Sequence, residues 1–125
     1  MTVDQIHQVV FSYLDSLDCT GSRLYVGFSG GIDSKVLLLV CQAYCVLRPG
    51  VSVEAVHINH QLHEDADNWA DECANFCISR RLPYRGLTVD ILESHKSSGL
   101  ELRARHARYQ AFRQVLSQDD SGILL

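Results

Sequence analysis

Short apolar runs alternate with stretches of helical periodicity along the whole chain, and no other feature constrains the fold as tightly. Val3, Ile6, Val10, Tyr13, Leu14 and Leu17 recur at helical spacing until polar residues and glycine between Asp15 and Ser22 break the pattern. Leu24 to Phe28 is a short, nearly continuous apolar run, as expected of a strand covered on both faces. Lys35 to Leu47 keeps a high apolar density without Pro or Gly, and Arg48-Pro49-Gly50 stops that helix. A second strand is expected over Val51 to Ile58. The next helix, Asp65 to Arg81, carries Trp69, Cys73, Phe76 and Cys77 at helical spacing and is ended by Pro83. Tyr84 to Val89 reads as a third strand. The polar stretch Glu93 to Gly99 then leads to a helix from about Leu100 to Leu116 and a fourth strand at Gly122 to Leu125.

Strands that alternate with helices form a parallel sheet joined by right-handed crossovers. The expected fold class is therefore α/β, a parallel sheet with helices on both faces, Rossmann-like in plan. Open α/β sheets bind ligands at the carboxyl ends of their strands, and the chain stops inside the fourth strand before any such loop. The expectation is a domain truncated in its fourth strand.

The chain has 125 residues, enough for one compact domain. Eleven Lys and Arg against fifteen Asp and Glu give a formal charge of -4, so any contact with RNA must be local. The longest apolar run, Val36 to Cys41, is too short to span a membrane, and the amino terminus has no cationic leader region. A soluble, cytoplasmic protein is expected. Cys41 with Cys45 and Cys73 with Cys77 are spaced i, i+4 in apolar helical stretches, where free cysteine acts as a small hydrophobe. None of the five cysteines forms the C-x-x-C pair of zinc or redox motifs.

Chemistry concentrates in Ser29-Gly30-Gly31-Ile32-Asp33-Ser34, between the first strand and the second helix. Two adjacent glycines let the backbone turn sharply and approach a ligand, leaving successive N–H groups free to point into one concavity. The Ser29 and Ser34 hydroxyls can donate to oxyanions, and the helix presents its positive end. A phosphate cradle is the expected use. It is not a G-x-x-x-x-G-K-[ST] loop, because Ile32 stands five residues after Gly27, and neither Gly27 nor Gly30 begins a G-x-G-x-x-G fingerprint. The plainer alternative is a Gly-Gly turn with Asp33 or Ser34 as helix cap.

This S-G-G-x-D-S segment resembles the PP-loop of the N-type ATP pyrophosphatase superfamily, whose fold is adenine nucleotide alpha hydrolase-like. Two further segments narrow the resemblance. Val56-His57-Ile58-Asn59-His60-Gln61-Leu62 is similar to the H-x-N-H-x-L segment of the tRNA(Ile)-lysidine synthetase family, and Glu101 to Tyr109 is similar to that family's E-x-x-A-R-x-x-R-Y helix. The resemblance implies an ATP- and Mg2+-dependent ligase of tRNA processing. Its reaction joins L-lysine to C2 of the wobble cytidine of tRNA(Ile) with a CAU anticodon, through an adenylated intermediate, to give lysidine. It implies that Ser29, Gly30, Gly31, Ile32, Asp33 and Ser34 bind ATP, that Asp33 meets the magnesium and takes part in catalysis, and that Arg105 steadies the phosphate or the intermediate with Glu101 orienting it. It also implies that the strand end at His57 to Asn59 lies beside the adenine.

Residues 1–125 would then be an incomplete amino-terminal ATP-binding domain. The family's second catalytic signature, H-x-D-D-x-x-E-T, would fall beyond the fourth strand, and the carboxyl-terminal tRNA-binding domains later still. The alternatives are another PP-loop tRNA-modifying enzyme, such as a thiolase with C-x-x-C cysteines, or an ATP-binding fragment without turnover. On the last long helix Glu101, Arg105 and Arg108 share a face, and Leu102, Tyr109, Phe112 and Leu116 are expected to turn to the core. His57, His60 and His63 recur every third residue, but side chains diverge along an extended strand end, which disfavours convergence on zinc.

Overall fold

The computed structural model describes residues 2–89 and 99–125. Most of the polar stretch before the last helix lies outside the described residues. Helices α1 (Val3–Leu17), α2 (Ile32–Leu47), α3 (Ala66–Ser79) and α4 (Leu100–Ser117) alternate with strands β1 (Arg23–Gly27), β2 (Ser52–Asn59), β3 (Tyr84–Thr88) and β4 (Gly122–Leu124). The strands pair in the order β3-β2-β1-β4, all parallel. The α/β architecture read from the sequence is the one observed. Among the described residues no helix is long and apolar enough to cross a membrane.

The alternation of side chains along β1 divides the core in two. Leu24, Val26 and Phe28 point to one face, where Leu14 of α1, Leu38, Cys41 and Tyr44 of α2, and Cys73 and Cys77 of α3 bury them. Tyr25 points to the other, joining Val56, Ile58 and the α4 residues Ala111, Phe112 and Val115. The cysteines serve as core hydrophobes, and burial pushes the Cys41 thiol up to about 12 and that of Cys77 to about 11.

Helix α4 meets the sheet differently from the expectation. Leu102 and Tyr109 are about half exposed, at 47% and 51%, and the buried positions are Ala107, Ala111, Phe112 and Val115. The helix is rotated so that the face of Ala107, Ala111, Phe112 and Val115 packs on the sheet, which leaves Leu102 and Tyr109 on the outer side. At the carboxyl end of α4 the Tyr25 hydroxyl donates to Asp119 Oδ2 at 2.7 Å, fixing the turn into β4.

Helix α1 starts from a reciprocal cap, with the Thr2 hydroxyl accepting from Gln5 N–H at 3.2 Å and Thr2 N–H donating to Gln5 Oε1 at 2.8 Å. Its other end is tied to α2 by Asp15, which accepts from Arg48 Nε at 3.0 Å, Arg48 Nη2 at 2.9 Å and the Tyr44 hydroxyl at 2.6 Å. These donors hold the Asp15 carboxyl down at about 2. A lowered carboxyl contributes stability above its unfolded value and loses it as pH falls through the folded one. The stability gap between wild type and Asp15→Asn should therefore be widest near neutrality and shrink as pH falls from 3.8 towards about 2. Urea denaturation across that range checks this.

Gly122 supplies a second test. A Cβ there would stand 2.8 Å from Tyr25 Cε2 and 3.2 Å from the Asp119 carbonyl oxygen. Tyr25 is buried and held by its bond to Asp119, so it has little room to yield. Gly122→Ala should destabilise the fold by about 1–3 kcal/mol, measured from denaturant midpoints at constant slope.

Candidate functional site

Strands β2 and β3 extend the sheet from one side of β1, and β4 joins from the other. The helices leaving β1 and β2 cover one face and α4 covers the opposite face, so the order reverses between β1 and β4. In open α/β sheets the ligand crevice lies at such a reversal, outside the carboxyl ends of the strands. The Ser29–Ser34 loop leaves β1 there.

Local bonds shape the loop. Gly31 N–H donates to Ser29 Oγ at 3.2 Å, the Ser34 hydroxyl donates to the Gly31 carbonyl at 3.1 Å, and the two serine hydroxyls lie 3.2 Å apart. Gly30 has φ +89°, and a Cβ on it would come within 3.0 Å of Cys73 Sγ. Both the turn and the close approach of α3 therefore require glycine. The cap of α2 is Gly31, with no side-chain bond to the helix end. That corrects the capping alternative, because Asp33 and Ser34 lie inside the first turn rather than at the cap. The opening N–H groups of α2 thus have no capping side chain, and the helix dipole points its positive end into the loop.

Two cavities open on the loop, and Phe28, Ser29 and Trp69 border both. The larger, of about 470 Å³, lies over the end of β2 and is also lined by His57, Asn59, His60 and Arg108. The smaller, of about 290 Å³, lies towards α3 and includes Gly30, Lys35, Glu72 and Cys73. Lys35 Nζ stands 5.2 Å from the centre of the Phe76 ring. The bridging residue Trp69 is stacked on His63 at 4.9 Å.

The end of β2 is held by polar bonds. His57 Nδ1 lies 2.8 Å from the Phe28 carbonyl, which fixes the last residue of the first apolar run against its neighbour strand. Asn59 Nδ2 donates to Asp67 Oδ1 at 2.8 Å, and Asn59 Oδ1 accepts from Gln61 N–H at 2.9 Å. Gln61 turns through φ +57°, which carries the chain away from the sheet. Burial lowers the His60 pKa below 6.5, helped by Arg108 and His57, so its neutral form is favoured at the cleft.

The structure gathers Ser29, Gly30, Gly31, Ile32, Asp33 and Ser34 in one turn, with the Ile32 side chain 76% exposed. Arg105 is exposed on α4 and outside the lining of both cavities, whereas Arg108, one turn on, borders the larger. No ion pair joins Glu101 to Arg105 among the described residues. Sequence reasoning missed Trp69, which fits the core periodicity of α3 yet is 49% exposed at the cleft. Lys35 was legible as a helix residue only. Its place one turn after the loop cap was the available signal.

This arrangement is that of a nucleotide-binding α/β domain entered through a glycine-rich strand-to-helix loop. The chain belongs to the PP-loop domain family, whose model matches residues 3–125. It is 39% identical over 98 residues to the tRNA(Ile)-lysidine synthase of Shigella flexneri, covering 78% of this chain and 22% of that protein. With that of Vibrio atlanticus it shares 42% over 101 residues, covering 79% and 21%, and with that of an Enterobacter species 36% over 121 residues, covering 97% and 26%. The chain thus spans about a quarter or less of the relatives' length. Among solved structures, the U34-tRNA thiolase NcsA of Methanococcus maripaludis, with its [4Fe-4S] cluster, superposes with a TM-score of 0.73. That match covers 84% of this chain and 37% of the thiolase at 18% identity, a likeness of fold.

The loop geometry separates two neighbouring glycines. Gly30→Ala should cost about 1–3 kcal/mol, from the positive φ and the contact with Cys73. Gly31→Ala, at φ -75° with its nearest neighbour the Ser29 hydroxyl at 3.4 Å, should cost no more than about 1 kcal/mol. Equal destabilisation in urea titrations would contradict this account.

Proposed function

We propose that this chain is the ATP-binding portion of a tRNA(Ile)-lysidine synthetase. In this reading the Ser29–Ser34 loop binds the β and γ phosphates of ATP, and the adenine enters the larger cavity beside His57, Ile58 and Asn59. C2 of the wobble cytidine in a CAU-anticodon tRNA(Ile) is activated by transfer of AMP to its oxygen with release of pyrophosphate. The ε-amine of L-lysine then attacks C2, AMP leaves, and lysidine results. The observation that carries the reading is the uncapped start of α2, held open by Ser29 and Ser34 at the strand-order reversal. The 36–42% identity to lysidine synthases supports the choice of reaction.

Each residue has a part consistent with its chemistry. Backbone N–H groups at the head of α2 and the two serine hydroxyls would donate to phosphate oxygens, where charge accumulates as pyrophosphate leaves. Arg105 is proposed to steady the phosphates or the adenylated intermediate, with Glu101 orienting it, and Arg108 is the guanidinium that borders the larger cavity. Among the described residues no group of three His, Cys, Asp or Glu side chains converges as a metal site. A single carboxylate nevertheless suits Mg2+, which takes most of its ligands from water and phosphate, and Asp33 in the first turn of α2 is the residue that would hold it. When bound, the ion would neutralise charge on the departing pyrophosphate. The thiolase alternative is less well supported, because the cysteines of α2 and α3 are spaced i, i+4 and are largely committed to the core.

Equilibrium dialysis with labelled ATP tests the loop, and ATP–pyrophosphate exchange with tRNA(Ile) and lysine in the full-length protein tests the reaction. Ser34→Ala and Asp33→Ala should each weaken ATP binding by roughly tenfold, the loss of one charge-assisted contact. Unchanged ATP affinity in both variants would remove the loop assignment. Binding without exchange would leave a nucleotide-binding module in place of the ligase.

A further inference from the structure

The helices carry opposite charge on the two faces of the sheet. Between Leu100 and Ser117, α4 has four arginines and one glutamate, a balance of +3. On the opposite face α3 has Asp67, Asp71 and Glu72 and no Lys or Arg, a balance of -3. With a total of -4, the chain outside α4 carries -7, so α4 is a local cationic strip on an acidic body.

The exposed side of α4 has a pattern of its own. Leu102, Arg105, Tyr109 and Arg113, at i, i+3, i+7 and i+11, are all exposed and lie along one side of the helix. Neither Arg105 nor Arg113 forms an ion pair with another described residue. Tyr109 has 51% of its surface in solvent although the helix has an apolar inner face where an aromatic ring could pack. Arg108, about a third of a turn round the helix from this strip, borders the larger cavity, so α4 carries guanidinium groups both on its outer side and at the cleft.

From these observations we infer that the outer strip of α4 docks an unpaired RNA segment, with Tyr109 stacking on a base and Arg113 contacting phosphate. This rests on the reading of the chain as part of a tRNA-modifying enzyme and specifies which surface meets the RNA. Guanidinium groups alternating with an exposed ring match single-stranded RNA, whose phosphates need cations and whose bases present π-faces. A membrane surface fits less well, because α4 turns its apolar side to the sheet and leaves Leu102 as the one aliphatic residue of the strip. The acidic α3 face repels a polyanion arriving from the other side, which orients the approach.

The test uses the full-length protein and a labelled anticodon stem-loop of tRNA(Ile), titrated at several salt concentrations beside ATP dialysis. Tyr109→Ala should weaken RNA binding about tenfold, and Tyr109→Phe, which keeps the ring, should restore it. Arg113→Gln should weaken binding and reduce the slope of log K against log salt by about 0.7–1, a change that a purely structural role would not produce. ATP affinity should stay at the wild-type value in all three. RNA affinity and salt slope unchanged in both Tyr109→Ala and Arg113→Gln would overturn the inference and leave the ligase reading standing; this is also the result expected if the strip serves an acidic protein. A wild-type protein that binds ATP but not the stem-loop would take down the tRNA reading and this surface together.

Discussion

The site depends on β1 being buried from both sides. Leu24, Val26 and Phe28 are clamped by α2 and α3, Tyr25 by α4, and β2 and β4 pair with the strand along its edges. A strand with no exposed face or edge is a fixed reference for whatever leaves its carboxyl end. The Ser29–Ser34 loop therefore starts from a rigid point, and its own bonds among Ser29, Gly31 and Ser34 need only shape one turn. Gly30 completes the constraint from below, where its bare Cα admits Cys73 of α3 against the loop. A core cysteine and the glycine-rich turn thus share one contact. This explains why a buried thiol with a raised pKa belongs to the architecture of the site without chemistry of its own.

Periodicity made the fold legible because each element had a single burial pattern. A continuous apolar run can be a fully covered parallel strand, and the i, i+4 cysteines could only line a helix face. Helix α4 was less legible, since Leu102 and Tyr109 have the size and spacing of core residues. The sheet takes Ala107 and Ala111 with Phe112 and Val115 instead, a rotation of the helix that a pattern of residue size does not reveal. Trp69 misled in the same sense. It falls in step with Cys73 and Phe76, but it sits in the first turn of α3, beyond the end of the sheet, where no strand remains to cover it.

The glycine-rich loop was legible from residue type alone, because glycine pairs and flanking hydroxyls serve few purposes at the end of a strand. What the pattern could not reveal was which residue caps α2. Asp and Ser are good caps in general, yet the chain gives that position to Gly31, so no side chain occupies the helix end. An Asp or Ser cap would consume the N–H groups that an anion needs. The weaker cap is the one compatible with an anion site.

A polyphosphate bound at this loop meets an unfavourable electrostatic setting. The body of the chain is acidic, Asp33 adds a negative charge within the loop, and Glu72 lines the smaller cavity. A helix dipole offers about half a charge, too little to offset a triphosphate alone. Beside the Mg2+ that Asp33 would hold, compensation is available among the described residues from Lys35 of α2, which borders the smaller cavity, and Arg108 of α4, which borders the larger. Their placement on separate helices makes the charge balance of the site a property of the assembled sheet. The loop motif alone, grafted to an unpaired strand, would have the right shape for phosphate and the wrong field.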